Sequence, residues 1–340
     1  MAVPISILDL ALVGRADTAK EALDGTVALA QEAEQAGYRR VWYAEHHNMP
    51  TIASSATSVL IAHVAAHTER IRLGSGGIML PNHSPLTIAE QFGTLATLHP
   101  GRIDLGLGRA PGSDQATMRA LRRDPMVAEM FPQDVQELQG YLSGNSRIPG
   151  VDAIPGKGTN VPLYILGSSL FGATLAAALG LPYAFASHFA PEALQAAITT
   201  YRRDFRPSEQ LERPYAMAGM NVLVADSEED AKTEFEAVKR SRVARFLGRG
   251  QTFTDEEADA ILASPQGRQI LQMMRYSIAG TPPQVKEYVG EFAAHADVDE
   301  VIVVHQARSI EGRVRSARLL AEAIDLDTAV ASEPWTASRG

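Results

Sequence analysis

Short apolar segments alternate with helix-like segments from one end of the chain to the other, and this alternation restricts the possible folds more than any other feature. Each apolar segment is rich in Val, Ile and Leu, and a stretch with helical periodicity generally follows before the next one begins. Strand–helix units repeated along a chain build a parallel sheet, and eight of them favour an α/β protein closed into a (β/α)8 TIM barrel. Eight strands are predicted, at 3–10, 40–44, 71–80, 103–107, 163–166, 183–186, 217–225 and 300–304.

Helices are predicted between these strands, and only the seventh unit breaks the pattern. Gly37 and Gly180 mark helix ends, and Pro85 stands where a helix can begin. Residues 226–280 are charged and helix-prone, and they are predicted to be an insertion after strand seven within one domain that spans residues 1–340. The predicted helices cover 18–37, 55–67, 85–98, 131–142, 170–179, 191–205, the residues that follow Pro282, and 311–324.

The composition argues against several kinds of partner and several kinds of chemical site. A net charge of −9 over 340 residues argues against a nucleic-acid surface. No stretch approaches the ~20 apolar residues that a membrane-spanning helix needs. The chain has no cysteine, which excludes disulfides, thiolate metal sites and cysteine nucleophiles. A cytoplasmic protein without nucleic-acid or membrane partners is therefore expected.

Polar residues and glycines gather where the predicted strands end. Active sites of α/β barrels lie at the carboxyl ends of the strands, so this distribution predicts an enzyme with its site on that face. The residues in question are Asp9, 45–48, 74–77 with Asn82 and His83, 106–109, 167–169, and Ser187 with His188.

The adjacent pair His46 and His47 is open to a structural or a catalytic interpretation. Neighbouring side chains on a strand diverge, so the two imidazoles are not expected to bind one metal ion. No HExxH motif or EF-hand loop accompanies them, and no metal site is predicted.

Two glycine-containing segments point to a phosphate. GLGRAPG at 106–112 is not a dinucleotide fingerprint, because its third glycine comes one position late and Pro111 interrupts the helix start. Arg109 is nevertheless placed to hold a phosphate, and Gly167, Ser168 and Ser169 precede an apolar helix whose first N–H groups suit an anion. A solvated arginine and an ordinary serine N-cap are the alternatives.

The segments RRVWYAEHHN, IRLGSGGIMLPNHSPLTIAEQFGTLATLHPGRIDLGLGRAPGSD and LYILGSSLFGATLAAALGLPYAFASHF resemble the bacterial-luciferase-like flavin monooxygenases, and the resemblance covers nearly the whole chain. It implies an FMN-binding barrel with His46 as the catalytic histidine and a cis peptide at Gly76–Gly77 beneath the flavin. It further implies that the flavin phosphate contacts Arg109, Ser168, Ser169 and Gly172. A reactive cysteine of luciferase is replaced by Gly108, which puts light emission in doubt.

The resemblance also implies a reaction. A separate flavin reductase supplies reduced FMN, O2 adds at flavin C4a, and the peroxide oxygenates a small organic substrate, for example a carbonyl compound. Asp9, His47 and His188 are candidates for the substrate pocket. Two alternatives remain open, namely a deazaflavin (F420)-dependent oxidoreductase on the same fold and a non-catalytic flavin-binding protein. FMN and F420 both carry a phosphate, so the phosphate residues do not separate them.

Two further expectations concern assembly and motion. The predicted helices at 55–67 and 85–98 carry small and apolar residues around most of their circumference, which indicates a homodimer formed through them. The segment 239–266 follows strand seven and therefore emerges beside His46, so it is expected to be a mobile lid.

Overall fold

The computed structural model describes residues 3–14, 17–110, 114–248 and 253–326, and nearly every predicted strand and helix is present in it. The strands are β1 (Ile5–Asp9), β2 (Arg40–Tyr43), β3 (Arg72–Met79), β4 (Ile103–Gly108), β5 (Leu163–Gly167), β6 (Tyr183–Phe185), β7 (Ala216–Val224), β8 (Ser277–Gly280) and β9 (Glu300–His305). The helices are α1 (Ala19–Ala36), α2 (Thr57–Ala65), α3 (Pro85–Leu98), α4 (Gln115–Ala120), α5 (Phe131–Ser143), α6 (Leu170–Leu179), α7 (Leu194–Asp204), α8 (Glu228–Leu247), α9 (Asp255–Leu262), α10 (Pro265–Met273), α11 (Pro282–Ala296) and α12 (Ile310–Ile324).

Eight of the strands close into a parallel barrel, which confirms the predicted TIM barrel. Neighbouring strands pair in chain order from β1 to β7, then β7 pairs with β9 and β9 returns to β1. The sequence prediction missed β8, which has four residues and is only partly buried. It pairs with β7 at Asn221–Val224, beyond the point where the three-residue β6 stops, so it extends the rim and leaves the barrel count unchanged.

Local signals in the sequence explain several helix boundaries. Thr18 and Glu21 form a reciprocal capping box at the start of α1, and Gly37 ends this helix in the left-handed conformation (φ 88°) that glycine adopts without a steric penalty. Ser84 caps α3, and Pro85 takes its first position, where no N–H is needed.

The barrel divides its core into two layers, because successive residues of a strand face opposite sides of the sheet. The outer layer, between strands and helices, contains Val41 and Tyr43 of β2. The barrel interior contains Trp42 with seven other buried residues: Leu8, Ala44, Tyr164, Ala184, Met217, Ile302 and Val304.

A buried ionic network closes the barrel at the amino-terminal end of its strands. The Arg40 guanidinium lies 2.8 Å from Asp104 and 3.0 Å from Glu300, and Arg72 forms a second ion pair with Asp104. Tyr215 donates a hydrogen bond of 2.6 Å to Glu300. These charges balance one another at the end of the barrel opposite the candidate site, so they belong to the packing of the fold.

The predicted insertion contains three helices as well as β8. Helix α8 lies along the rim, and α9 and α10 pack against it through Val243, Ala258 and Ile270. Residues 249–252 of the expected lid lie outside the described residues, and its mobility stays a prediction. Among the helices in the described ranges, none combines the length and apolar character that crossing a membrane requires.

Candidate active site

The carboxyl ends of the barrel strands form one rim, and β2 shows how side chains are presented there. Trp42 and Ala44 face the barrel interior, whereas Tyr43 faces the outer layer. Continued beyond the strand, this alternation directs His46 toward the barrel mouth and Glu45 toward the neighbouring β3–α3 connection.

Glu45 is the anchor of this part of the rim. Its side chain is buried and accepts hydrogen bonds from the His47 imidazole (2.9 Å), the His83 imidazole (3.0 Å), the Asn82 amide (3.1 Å) and the Met79 backbone N–H (2.9 Å). Burial alone would raise the pKa of Glu45, but the hydrogen bonds from these side chains, that of His83 first, outweigh it and hold the pKa below its usual value. The ionised carboxylate therefore fixes the loop that carries His46, and the His47 imidazole is one of the groups that donate a hydrogen bond to this carboxylate.

His46 and His188 come together over the mouth with polar atoms that have no partner. The Nδ1 atoms of both rings are buried and make no hydrogen bond within the described residues. Burial, and then Arg245, lowers the pKa of His46, and burial, Arg242 and His46 lower the pKa of His188 to about 3. Both imidazoles are therefore neutral at pH 7.

The position of the His188 ring depends on a glycine in β7. A Cβ atom on Gly219 would lie 2.3 Å from the His188 Nδ1 atom, far inside any allowed contact. Residue 219 must therefore be glycine for the imidazole to lie against the strand in this way.

Two arginines of α8 face the same region. Arg242 is buried, and its Nη2 donates to the side-chain oxygens of Asn221 (3.1 Å) and Gln306 (3.2 Å), which are neutral amides. Burial and the neighbouring Arg245 lower the pKa of Arg242 to about 10, so it remains charged at neutral pH. The Nε atoms of both arginines are buried without a partner among the described residues.

A second corner of the rim combines Arg109 with the amino terminus of α6. The Arg109 guanidinium carbon lies 4.1 Å from the centre of the Phe171 ring, in the first turn of the helix. Ser169 stands at the N-cap but makes no capping hydrogen bond with its side chain, so it leaves the first N–H groups to another acceptor. Ser168 beside it is exposed. The sequence-predicted phosphate residues are thus brought together by the fold.

Close packing of the backbone supports this corner. A Cβ atom on Gly172 would lie 3.1 Å from the Tyr183 ring, and one on Gly167 would lie 3.5 Å from the Gly172 Cα atom. The helix start therefore packs tightly on the end of β5. Pro111 and Gly112 of the GLGRAPG segment lie outside the described residues.

The peptide bond between Gly76 and Gly77 is cis, the geometry that the resemblance implies at this position. The register between β3 and β4 shifts between Ser75 and Ile78. A Cβ atom on Gly77 would lie 2.7 Å from the Gly106 carbonyl oxygen, so β3 and β4 approach closely here.

Asp9 forms no hydrogen bond with His46 or His188 within the described residues. Its carboxylate accepts a hydrogen bond of 2.9 Å from the Ala11 N–H and so stabilises the turn after β1. Burial raises its pKa, while Arg313 opposes this effect. The structure therefore joins His188 to His46 but gives Asp9 and His47 local partners.

Several residues of the site were not selected from the sequence. The rule that polar residues at strand ends are functional included His83 and would also have found Gln306, which directly follows β9. Arg242 and Arg245 gave no such signal, because charged residues surround the whole circumference of α8 and no periodicity marks its buried face.

Comparison with known proteins identifies the family. The sequence model of the protein family described as luciferase-like monooxygenase matches residues 3–302 of this chain. The chain belongs to the luciferase-like monooxygenase family. A luciferase-like monooxygenase of Escherichia coli strain K12 is 47% identical over 323 residues, covering 93% of this chain and 96% of the relative. The N-acetyl-S-alkylcysteine monooxygenase of Bacillus subtilis strain 168 is 33% identical over 335 residues, covering 94% and 98%.

The luciferase-like barrel also matches solved structures. The crystal structure of apo-MsnO8 has a TM-score of 0.85 and 32% identity, covering 96% of this chain and 99% of that one. Two more distant structures show the fold alone. The FMN complex of the oxygenating constituent of 3,6-diketocamphane monooxygenase from Pseudomonas putida has a TM-score of 0.71 at 16% identity over 95% and 98% of the chains. An F420-dependent secondary alcohol dehydrogenase has a TM-score of 0.71 at 14% identity over 95% and 99%.

Proposed function

We propose that this chain is a monooxygenase that uses O2 and reduced FMN, supplied by a separate flavin reductase, to oxygenate a small organic substrate. The proposal rests on two features that lie on the same rim. Arg109 and the start of α6 form a corner that can bind an anion, and His46 is a neutral histidine with an unpartnered ring nitrogen. A phosphate-bearing redox cofactor and a proton-transfer group are what such a reaction requires.

The residues present suit a flavin mononucleotide. Arg109, Ser168, Ser169 and the backbone between Gly167 and Gly172 supply charged and N–H donors for a phosphate. The buried Nδ1 atoms of His46 and His188 lack partners, and polar atoms of a flavin ring or a substrate can satisfy them. We assign Gly76 and Gly77 to the floor of the flavin site.

The chemistry divides between the cofactor and the protein. Reduced FMN, when bound, supplies the two electrons with which one atom of O2 enters the substrate and the other leaves as water. The His46 imidazole is neutral at pH 7, and its Nδ1 is the atom at which a proton can be taken up or released. Glu45 holds the His46 loop in place, and Arg242 and Arg245 bring α8 close to both histidines, where the helix would restrict the access of water.

Two observations support the remaining parts of the proposal. The GLGRAPG segment does not meet the requirements of a dinucleotide-binding loop, which favours a separate reductase as the source of reduced flavin. The Bacillus subtilis relative is named for a small organic substrate, N-acetyl-S-alkylcysteine, and this supports a substrate of similar size here.

Binding and single-turnover measurements test the proposal. Under anaerobic conditions the protein should bind reduced FMN more tightly than reduced F420. A pulse of 18O2 with candidate thioethers, aldehydes and ketones should then transfer one labelled atom to the product. Preferential F420 binding with hydride transfer, or stoichiometric flavin binding without oxygen transfer to any candidate, would overturn it.

A further inference from the structure

A cavity of about 730 Å³ lies between α8, the ends of β7 and β9, and the loop after β1. Three arginines at its wall have carboxylate partners: Arg240 pairs with Asp259 (2.7 Å), Arg308 with Glu234 (3.0 Å), and Arg315 with Asp226 (2.5 Å). Arg242 and Arg245 line the same cavity, and no carboxylate within the described ranges forms an ion pair with either.

Arg242 is also the most deeply buried of these five arginines, and Arg245 is partly buried, as Arg240 is. Arg242 is 6% exposed, whereas the side chains of Arg308 and Arg315 are more than half exposed. A buried cation without a counter-ion is costly, and one that is retained generally meets a partner supplied from elsewhere.

Hydrogen bonds to uncharged side-chain amides orient Arg242 but do not neutralise its charge. Asn221 accepts from Arg242 and from Gln306, and its own amide donates to the His188 carbonyl oxygen (2.8 Å) and to Ser277 (3.0 Å). The guanidinium is thus fixed by the ends of β7 and β9 while its buried Nε remains without a partner.

The titratable groups around this pair form no ion pair with it within the described residues: Asp17 and Asp230 line the same cavity but accept hydrogen bonds from the Gly14 N–H (3.1 Å) and the Ser227 hydroxyl (2.7 Å). His46 interacts electrostatically with Arg245 and His188 with Arg242, and both imidazoles are neutral at pH 7. Glu45 is the nearby carboxylate that acts on His46, but four donors from the β2 and β3 ends already occupy it.

The cofactor phosphate has a separate corner. Arg109 and α6 belong to the β4 and β5 units, whereas Arg242 and Arg245 lie above β7 and β9. Around the eight-stranded barrel β9 is four strands away from β4, and β6 separates β5 from β7. The second cationic site therefore suits a different anion.

We propose that Arg242 and Arg245 bind an anionic oxygen group of the substrate, a carboxylate or a sulfonate, and thereby place the rest of the molecule at the mouth beside His46 and His188. The planar guanidinium forks match the two oxygens of such a group. The assignment of the anion to the substrate rests on the proposed function, whereas the anion site itself rests on the two arginines.

Binding of matched probes to the purified protein, with and without FMN, tests the inference. Calorimetry should show that hexanoate or hexanesulfonate binds at least ~10-fold more tightly than the neutral hexanamide, a factor that corresponds to about 1.4 kcal/mol. Arg245→Gln should weaken this preference, because only Arg242 then remains, and Arg245→Lys, which keeps the charge but loses the fork, should retain more of it. Arg240→Gln is the matched control, because Arg240 lines the same cavity but is paired with carboxylates.

Each outcome decides between the alternatives. Equal binding of hexanoate and hexanamide, no binding of either anion, or an unchanged preference in a folded Arg245→Gln protein would overturn the inference. Displacement of the bound anion by inorganic phosphate and by FMN, but not by riboflavin, would reassign the arginines to a phosphate and also overturn it. An Arg245-dependent preference in a protein that neither binds FMN nor consumes O2 would support the anion site while refuting the proposed function.

Discussion

At the scale of single residues, His46 is held in a defined position and its pKa is lowered. Burial and the positive charge of Arg245 lower its pKa, so the ring keeps an uncharged nitrogen below the ordinary titration range of histidine. Glu45 fixes the loop from the other side through its hydrogen bonds with His47 and His83. The chemistry expected of His46 is therefore that of a neutral acid–base group.

Replacing His46 by Ala should lower turnover by ~10²-fold or more, the range for a lost general acid or base. Flavin affinity should remain within a few-fold, because the phosphate corner lies elsewhere on the rim. In the wild type, kcat/KM should fall on the acid side only as pH drops through a value below 6.5, since the neutral form persists to lower pH. Steady-state kinetics across pH 4.5–8 provide the check, and an undiminished rate in the variant would transfer the role to His188 or His47.

Arg109→Ala should weaken FMN binding by ~1.5–3 kcal/mol, the contribution of a hydrogen bond to a charged group. Arg109 rests on Phe171 at the start of α6, where a phosphate can receive both the guanidinium and the helix N–H groups. Riboflavin, which lacks the phosphate, is the matched ligand and should bind both proteins almost equally. Fluorescence titration measures both affinities, and an equal loss for the two ligands contradicts the assignment.

At the scale of secondary-structure elements, α2 and α3 present an unusually uncharged surface. Neither helix contains Lys or Arg, and Glu90 is the single carboxylate in both. Val59 is 67% exposed and Leu98 is 65% exposed. Outer helices of a barrel ordinarily turn charged residues to solvent, so this surface suits contact with a second copy of the chain.

Val59→Glu should therefore convert a homodimer into a monomer, because it places a charge in the apolar centre of the contact. The exposed side chain makes the substitution compatible with folding of the monomer. Leu271→Glu, on α10 outside this surface, is the matched control and should stay dimeric. Sedimentation velocity at micromolar concentration distinguishes the two states, and a monomeric wild-type protein would contradict the prediction.

At the scale of the whole molecule, buried ionisable groups couple stability to pH. His305 is buried on β9, where its Nδ1 contacts the Ser316 hydroxyl at 2.9 Å and Nε2 lies 3.4 Å from Tyr38. Burial, and then Arg313, lowers its pKa to about 3. The unfolded chain therefore binds a proton below pH 6.5 that the folded chain rejects until about pH 3, so stability falls as pH falls through this window.

His305→Gln should reduce that dependence. Between pH 5.5 and 4.5 the free energy of unfolding of the variant should fall less steeply than that of the wild type, by about 1.4 kcal/mol per pH unit for one proton. Carboxylates titrate alike in both proteins and cancel in the comparison. Urea unfolding at several pH values measures the slopes, and identical slopes would show that His305 is not protonated on unfolding in this range.

The sequence by itself determined the barrel and much of its chemistry. Strand–helix alternation needs only local periodicity, and Asp9, His46, Arg109 and Ser168 could be placed on the rim because a parallel barrel collects its strand ends on one face. The cis peptide at Gly76–Gly77 was implied by the family resemblance.

Only the tertiary structure decided which rim residues meet. It gave Asp9 and His47 local partners, set His188 against Gly219, and brought Arg242 and Arg245 of a uniformly charged helix close to His188 and His46. It also added β8, whose four residues carry too little pattern to be recognised alone. Local periodicity determines which residues form a strand or a helix. Contacts between residues distant in sequence depend instead on closure of the barrel and on the need to satisfy buried polar groups, and a single segment of sequence contains neither kind of information.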